Sequence, residues 1–358
     1  MSKLPLGCAI AGLLAFAAPA AMAQPASPGP ASPGPGPREV PARSLPVPTA
    51  PSPQVQRLIA APLRQGWNTP PTTPEGWRAL AEAGAAATRL GLPGLRERLK
   101  VDVEAAEMGG VKVFRVTPRE IRPEHRNRLL IHVHGGCYVL NPGEAGLPEA
   151  IFMAGFGGFR VVSVDYRMPP EAYFPAALDD AMAVWKAALQ TNDPRNMAIF
   201  GSSAGGALTL EMVLRAKAEG LPLPAAIAPG TPMSDVTGVG DSFQTNGLVD
   251  NVLVAVDGFC DAATRFYANG HDLRDPLLSP IYGDLRGFPP TILTTGTRDL
   301  LLSNTVRMHR ALRQAGVEAA LQVFEGQSHA HYYRDDTAPE SREAFTEIAG
   351  FFDRHLGK

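Results

Sequence analysis

Gly201-Ser202-Ser203-Ala204-Gly205-Gly206 lies between a short apolar run, Met197 to Phe200, and an apolar helical run that begins at Ala207. A strand that passes through a sharp, glycine-containing turn into a helix holds the turn residue's side chain above the end of a sheet. The helix N-terminus behind the turn offers free N–H groups and a positive dipole to a developing negative charge. The pattern therefore predicts strand, turn and helix, with Ser203 as a nucleophile.

A second glycine loop lies upstream. The apolar strand pattern Leu129-Leu130-Ile131-His132-Val133 continues into His134-Gly135-Gly136-Cys137-Tyr138. Loops of this type supply a second set of amide donors to an oxyanion hole. One Gly-x-Ser-x-Gly match arises readily by chance in a glycine-rich chain, but two such turns in this order favour a catalytic site.

A serine hydroxyl at its free pKa is a poor nucleophile, so a base and an orienting carboxylate are expected after it in the chain. Three downstream histidines lie in helical patterns or in a polar loop before any suitable aspartate: His309, His355 and His271. His329 and His331 remain, in the loop after the strand pattern Ala320 to Phe324. We take His329 as the base and keep His331 as the alternative.

Asp299 is the candidate acid. It follows the β pattern Thr291 to Gly296, and active sites of open α/β sheets gather at the carboxyl ends of the strands. The competing interpretation is structural, since an aspartate after a strand often caps the next helix.

Five blocks of the chain carry a family resemblance. They are His134-Gly135-Gly136, Val164-Asp165-Tyr166-Arg167-Met168-Pro169-Pro170-Glu171 with Phe174-Pro175-Ala176-Ala177 and Asp179, Ser202-Ser203-Ala204-Gly205-Gly206, Gly296-Thr297-Arg298-Asp299, and Glu325-Gly326 with His329. With these blocks in order over residues 75 to 355, the chain resembles the bacterial hormone-sensitive-lipase-like esterases.

The resemblance implies hydrolysis of short to medium carboxylic esters through an acyl-enzyme, without a cofactor or metal. It implies an α/β-hydrolase fold, a mostly parallel central sheet flanked by helices, with a helical cap from residues 55–101 and an insertion at 229–275. The implied site residues are the catalytic Ser203, Asp299 and His329 and the oxyanion donors Gly135, Gly136 and Ala204.

The chain departs from the family pattern at two positions beside the site. Cys137 stands where the family usually has a third glycine, so a Cβ is expected to face the acyl pocket. Ser202 stands where an aspartate is common, which removes a carboxylate next to the nucleophile. We expect Cys137 to narrow the pocket and keep its backbone N–H as a candidate for an additional oxyanion donor. We expect Ser202 to alter local electrostatics.

The N-terminal residues predict export. Residues 1–23 combine Lys3, an apolar region and the small-residue cleavage pattern Ala21-Met22-Ala23, and the apolar region is too short for stable membrane insertion. Residues 24–54 are dominated by Pro, Ala, Ser and Gly and predict a disordered linker whose removal leaves the rates unchanged. Residues 55–358 suit one α/β domain with a cap. The protein is thus expected in the periplasm or the medium.

Charge and cysteine content restrict the partners. The formal net charge of −2 comes without a basic stripe, so a small-molecule ester is expected and nucleic acid is not. Cys137 and Cys260 are the two cysteines left after signal removal. A disulfide between them would restrict the pocket, so we expect them to be unpaired.

Three other functions compete with a simple carboxylesterase. Lactone, amide or polyester hydrolysis would use the same triad, with a leaving-group preference that the sequence does not reveal. A metal-dependent hydrolase would use the pairs His132-x-His134 and His329-x-His331, but would leave the serine turn unexplained. A catalytically inactive receptor on the same fold would be expected to lack a triad member, whereas all three are present here.

Overall fold

Eight strands form one sheet in residues 36–358, the part of the chain that the computed structural model describes. The strands are β1 (Val101–Met108), β2 (Val111–Pro118), β3 (Leu129–Val133), β4 (Arg160–Val164), β5 (Met197–Ser202), β6 (Ala226–Gly230), β7 (Thr291–Gly296) and β8 (Ala319–Phe324). Their spatial order is β1-β2-β4-β3-β5-β6-β7-β8. β2 pairs antiparallel with β1 and β4, and the other neighbours are parallel, which confirms the prediction of a mostly parallel sheet.

Nine α-helices accompany the sheet in this range. They are α1 (Pro53–Ala60), α2 (Pro74–Arg98), α3 (Pro148–Phe152), α4 (Ala176–Ala188), α5 (Ala204–Ala218), α6 (Ser242–Thr245), α7 (Phe259–Ala268), α8 (Leu302–Gln314) and α9 (Pro339–His355). The export signal at 1–23 and the first linker residues, 24–35, lie outside the described residues. Residues 36–45 contain no helix or strand, and residues 46–358 form the unit described below. No helix in the described range is both long and apolar enough to cross a bilayer.

Alternate strand residues pack against two different helical layers. Ile131 and Val133 of β3 join a cluster with residues of α4, α5 and α8, such as Leu178, Leu208 and Met308. Leu130 points to the other face, where it joins a cluster with α3 and α9, including Phe152, Phe345 and Phe352. Both faces of the sheet are therefore buried, which explains the nearly continuous apolar character of the central strands.

The N-terminal helices differ from the sequence-based prediction. The resemblance implied helical structure over residues 55–101, and within that range α2 runs unbroken from Pro74 to Arg98 with Pro93 inside it. Leu92 and Leu95 are buried on either side of this proline, so packing outweighs the helix-breaking tendency of the ring. Val101 belongs to β1 rather than to a helix.

The α2 helix packs against the insertion between β6 and β7. Trp77 of α2 stacks on Phe266 of α7 with ring centroids 5.7 Å apart, and its ring lies 6.3 Å from that of Phe259. The Phe259 N–H also donates to the Trp67 carbonyl at 2.7 Å. The insertion begins at residue 231 rather than at the predicted residue 229, because residues 229 and 230 complete β6. The two chain segments that the resemblance implied as a cap thus lie together.

Residues 46–61, here called the N-terminal arm, lie against the domain, although 24–54 was predicted to be a disordered linker. Arg298 donates to the Pro46 carbonyl at 2.7 Å, and the backbone and side chain of Ser52 both donate to Glu340. The Asn251 amide donates to the carbonyls of Leu58 and Ala61. The packed unit therefore begins before residue 55, and its arm contacts residues adjacent to Asp299 and Asp250.

The contacts of the arm predict different effects for two N-terminal deletions. A chain that starts at residue 46 should keep the full unfolding temperature, whereas a chain that starts at residue 62 should lose several degrees, because buried Val55 and Ile59 and the Asn251 contacts disappear. Differential scanning calorimetry of the two chains measures this. Equal unfolding temperatures would show that the arm contributes nothing to stability.

Candidate active site

Ser203 occupies a backbone conformation that residues other than glycine rarely adopt. Its φ and ψ are 62° and −121°, in the turn between β5 and α5. The turn presses against the end of β3, where a Cβ at Gly201 or Gly205 would lie 2.0 or 1.9 Å from the Val133 carbonyl oxygen. Only glycine fits at these two positions, so the spacing of glycines around Ser203 follows from this contact.

Three backbone N–H groups predicted to bind an oxyanion lie around Ser203. The Gly135 Cα packs against Ser203, since a Cβ there would lie 3.2 Å from the Ser203 Cβ. Gly136 has φ of 125°, and Ala204 begins α5. The N–H groups of Gly135, Gly136 and Ala204 make no loop or turn hydrogen bond to another backbone group within residues 36–358. These three groups and the α5 dipole can therefore stabilise negative charge.

A hydrogen bond joins Asp299 and His329, the candidate acid and base. The His329 Nδ1 lies 3.1 Å from Asp299 Oδ1, and both side chains are buried. The hydroxyls of Thr231 and Thr295 donate to Asp299 Oδ2, and the Leu301 N–H donates to Oδ1 at 2.8 Å. Burial alone would raise the pKa of the Asp299 carboxyl, but the charge and hydrogen bond of His329, with these donors, hold the pKa below its usual range. Asp299 is therefore an anion that orients the imidazole.

His331, the alternative base, has a different environment. Its Nδ1 accepts from the Ser328 N–H at 3.3 Å, within the same turn. Burial, together with the nearby positive charge of Arg334, lowers the pKa of His331 to about 3. His331 is thus a neutral turn residue, and among the two histidines it is His329 that bonds to Asp299. Ser203 Oγ makes no hydrogen bond to either ring here, and such contacts are often loose without substrate.

The histidine pairs of the metal hypothesis separate in the structure. His132 bonds to Ser163 Oγ at 2.8 Å and to Glu149 at 3.2 Å, whereas His134 stacks on Tyr166 with ring centroids 4.1 Å apart. Burial lowers the pKa of His134 to about 4, which keeps that ring neutral. The two rings have different partners, so this pair does not converge on one point.

Glu149 clamps the residue before the nucleophile, and sequence reasoning missed it. Its carboxylate accepts from the Ser202 N–H at 3.1 Å, from the Ser202 hydroxyl and from His132. Because the Ser202 proton goes to Glu149, the Tyr332 hydroxyl donates to Ser202 Oγ. A carboxylate thus lies beside the turn, although position 202 has none. Glu149 is far away in sequence, so only the uncommon Gly-Ser-Ser variant could have suggested a compensating acid.

Asp250 is a second buried carboxylate that sequence reasoning missed. Its Oδ2 accepts from the N–H groups of Leu300 and His329, at 2.7 and 3.2 Å. Its Oδ1 accepts from Val252 and Leu253, at 2.8 and 3.1 Å. Burial and the charge of Asp299 raise the pKa of Asp250, against the opposing effect of these donors and of His329. One side chain therefore ties the insertion to the loops that carry Asp299 and His329.

Cys137 and Cys260 form a disulfide, so the prediction that they are unpaired was wrong. The bond joins the loop of Gly135 and Gly136 to α7 across 123 residues of sequence. Cys137 has φ of 52° and Tyr138 has φ of 63°, which places two side-chain-bearing residues in the left-handed region. The cross-link and a hydrogen bond from the Tyr138 hydroxyl to Glu211 hold this loop. Cys137 lines the cavity as half of a disulfide rather than as a thiol.

A cavity of about 370 Å³ connects these groups. Ser203, His329 and the glycine loop line this cavity together with Arg64 and side chains from α2 and the insertion. This volume accommodates a small molecule with several carbons on each side of a reacting group.

Comparisons with known proteins agree with this geometry. Residues 130–333 match a family described as having an alpha/beta hydrolase fold. An acetyl-hydrolase of Streptomyces hygroscopicus is 31% identical over 246 residues, which cover 68% of this chain and 81% of the relative. An esterase of Acinetobacter venetianus is 27% identical over 67% of this chain and 80% of the relative.

Solved structures extend the likeness over most of the described chain. The crystal structure of one esterase is similar with 44% identity and a TM-score of 0.84, over 89% of this chain and 99% of that one. The crystal structure of an esterase from the bacterial hormone-sensitive lipase family is similar with 28% identity and a TM-score of 0.72, over 86% and 100% of the two chains.

The four hydrogen bonds of Asp250 predict that Asp250→Asn destabilises the protein and lowers the reaction rate of the Ser203 hydroxyl. Each oxygen of the Asp250 carboxylate accepts from two backbone N–H groups, so an asparagine in either amide orientation would point its NH₂ group at two donors. The free energy of unfolding should therefore fall by about 1–3 kcal/mol. Labelling of Ser203 by a serine-directed organophosphate should slow about ten-fold or more, because the base shifts. Exposed Asp257→Asn is the matched control. If the destabilised Asp250→Asn variant were labelled at the wild-type rate, Asp250 would not position the base.

Proposed function

Because the chain belongs to the α/β-hydrolase fold family, among the hormone-sensitive-lipase-like esterases, we propose that Ser203, His329 and Asp299 are its catalytic triad. Family membership and the names of the relatives make the chain a serine ester hydrolase, as the sequence predicted. The observation that carries the residue assignment is the hydrogen bond between His329 Nδ1 and Asp299 behind a cavity that Ser203 and His329 both line.

In the proposed acylation step, Ser203 Oγ attacks the ester carbonyl carbon while His329 Nε2 accepts the hydroxyl proton. Asp299 bonds to Nδ1, keeps the tautomer whose Nε2 is free, and stabilises the imidazolium. The carbonyl oxygen becomes an oxyanion. When the tetrahedral intermediate collapses, the alcohol leaves with the proton from Nε2, and the acyl group stays on Ser203.

We propose that the N–H groups of Gly135, Gly136 and Ala204 bind the oxyanion. All three lie around Ser203, and Ala204 is the first residue of α5, so the helix dipole adds to their effect. Donors of this kind act without reorganisation, because the protein has fixed them beforehand. The disulfide at Cys137 and the Tyr138 to Glu211 bond support the rigidity of the loop.

Deacylation reverses the roles of the same groups. His329 Nε2 takes a proton from water, the hydroxide attacks the acyl carbon, and the returning proton restores the Ser203 hydroxyl as the acid leaves. The cavity volume of about 370 Å³ supports short to medium acyl chains as substrates.

We also propose that the protein is exported and cleaved after Ala23. The signal pattern at 1–23 supports this, and so does the disulfide, because disulfides persist in oxidising compartments.

Substitution of the triad tests the proposed mechanism. Ser203→Ala and His329→Ala should each lower kcat for p-nitrophenyl butyrate on the order of 10⁴-fold with the fold intact, whereas the turn residue variant His331→Ala should lose far less. Circular dichroism checks the fold. A large loss in His331→Ala with an active His329→Ala would reverse the assignment of the base.

In the same assay, wild-type rates should fall for acyl chains beyond about eight carbons, given the pocket volume.

The export proposal predicts a defined mature protein. Secreted or periplasmic protein should begin at Gln24 and contain a peptide in which Cys137 is linked to Cys260. N-terminal sequencing and non-reducing peptide mapping measure both features. An uncleaved chain with Met1, retained in the cytoplasm with two alkylatable cysteines, would contradict the proposal.

A further inference from the structure

Two arginine side chains line the cavity beside Ser203. Arg64 and Arg334 both line this cavity. Neither guanidinium lies within 4.0 Å of a carboxylate in residues 36–358, whereas Arg98, which also lines the cavity, is paired with Asp336 at 2.7 Å. Unpaired positive charge in a substrate cavity is unusual for an enzyme that binds only neutral esters.

Arg64 is held in a fixed place. Its backbone N–H donates to the Asn251 carbonyl at 3.0 Å, next to Asp250 in the chain. Its guanidinium lies over the Phe259 ring, 3.8 Å from the ring centroid. Burial, and then the positive charge of Arg334, lower the pKa of Arg64 to about 10. The group is still cationic at neutral pH. A guanidinium stacked on a ring keeps its N–H edge available for two parallel hydrogen bonds.

The remaining charges of the cavity wall do not neutralise these two arginines. Asp336 is engaged by Arg98 through two hydrogen bonds of 2.7 and 2.8 Å. Glu149 is buried and holds the backbone and hydroxyl of Ser202. The cavity therefore offers positive charge to a ligand and has no free carboxylate that would repel an anion.

We propose that the preferred substrates are esters that carry a carboxylate, in which Arg64 and Arg334 bind the carboxylate while Ser203 attacks the ester carbonyl. This proposal rests on the esterase function proposed above and names its substrate class. A half-ester of a dicarboxylic acid, or an acylated hydroxy acid, has this chemistry. Partial desolvation of Arg64 in the cavity and the planar fork of its guanidinium favour a planar carboxylate.

Matched pairs of substrates isolate the contribution of the carboxylate. Monomethyl adipate and methyl hexanoate differ only at the end of the acyl chain, where a carboxylate replaces a methyl group. The pair 4-acetoxybutyrate and butyl acetate makes the same replacement on the alcohol side. Wild-type kcat/KM should be about ten-fold or more higher for the anion of at least one pair, and sodium chloride should reduce that advantage.

Variants identify the side chains responsible. Arg64→Ala should lower the ratio of kcat/KM for anionic over neutral ester about ten-fold or more, and exposed Arg334→Ala about three-fold or more. Arg64→Lys keeps the charge without the planar fork and should give an intermediate ratio. Arg310→Ala, an exposed arginine outside the cavity, is the matched control and should leave both rates unchanged.

The outcomes separate this proposal from the esterase function. Hydrolysis of methyl hexanoate or butyl acetate that Ser203→Ala abolishes establishes the esterase by itself. The substrate proposal is overturned if the wild type shows no preference for either anion, or if the preference persists in the Arg64→Ala, Arg334→Ala double variant. If a single variant misfolds by circular dichroism, competitive inhibition of the wild type by free adipate gives the answer, and a lack of inhibition at millimolar adipate contradicts the proposal.

Discussion

The close contact between the Ser203 turn and the end of β3 constrains the rest of the site. The Val133 carbonyl oxygen lies so close that a Cβ at Gly201 or Gly205 would overlap it, at 2.0 and 1.9 Å. This contact holds Ser203 at positive φ and brings the start of α5 next to the glycine loop that continues β3. Nucleophile, helix dipole and loop amides therefore lie together because two parallel strands end side by side, and neither turn could relax without disturbing the other.

Buried carboxylates held by backbone N–H groups and hydroxyls extend this rigidity. Glu149 fixes the residue before the nucleophile, Asp299 orients His329, and Asp250 joins the insertion to both loops of the base and acid. Each is satisfied by several donors, so a buried negative charge becomes a specific anchor instead of a desolvation penalty. In contrast, the neutral His134 and His331 are part of the wall and the turn, and burial keeps their pKa values low.

The parts of the site that sequence reasoning misjudged are those that depend on contacts between distant segments. Cys137 and Cys260 are 123 residues apart, and their pairing follows from the packing of α7 over the glycine loop. The last residues of the proline-rich segment were assigned to a linker by composition, yet the Pro46 carbonyl bonds to Arg298 and Ser52 bonds to Glu340. Composition reports the capacity to bury apolar surface, and these contacts are instead made by polar groups.

The sequence by itself determined the α/β architecture and the Ser203 turn, and it singled out Asp299 and His329 as candidates, because glycine spacing and strand-end positions are local requirements of such turns. The predicted strand Thr291–Gly296 matches the structure residue for residue, since four of its six residues are threonine or isoleucine, which are β-branched and favour the extended backbone. Only the tertiary structure decided the continuous α2 helix, the hydrogen bonds of Glu149 and Asp250, the disulfide and the places of Arg64 and Arg334 in the cavity wall. These features depend on which side chains meet across the fold, and no local pattern encodes a meeting between residues that are far apart in sequence.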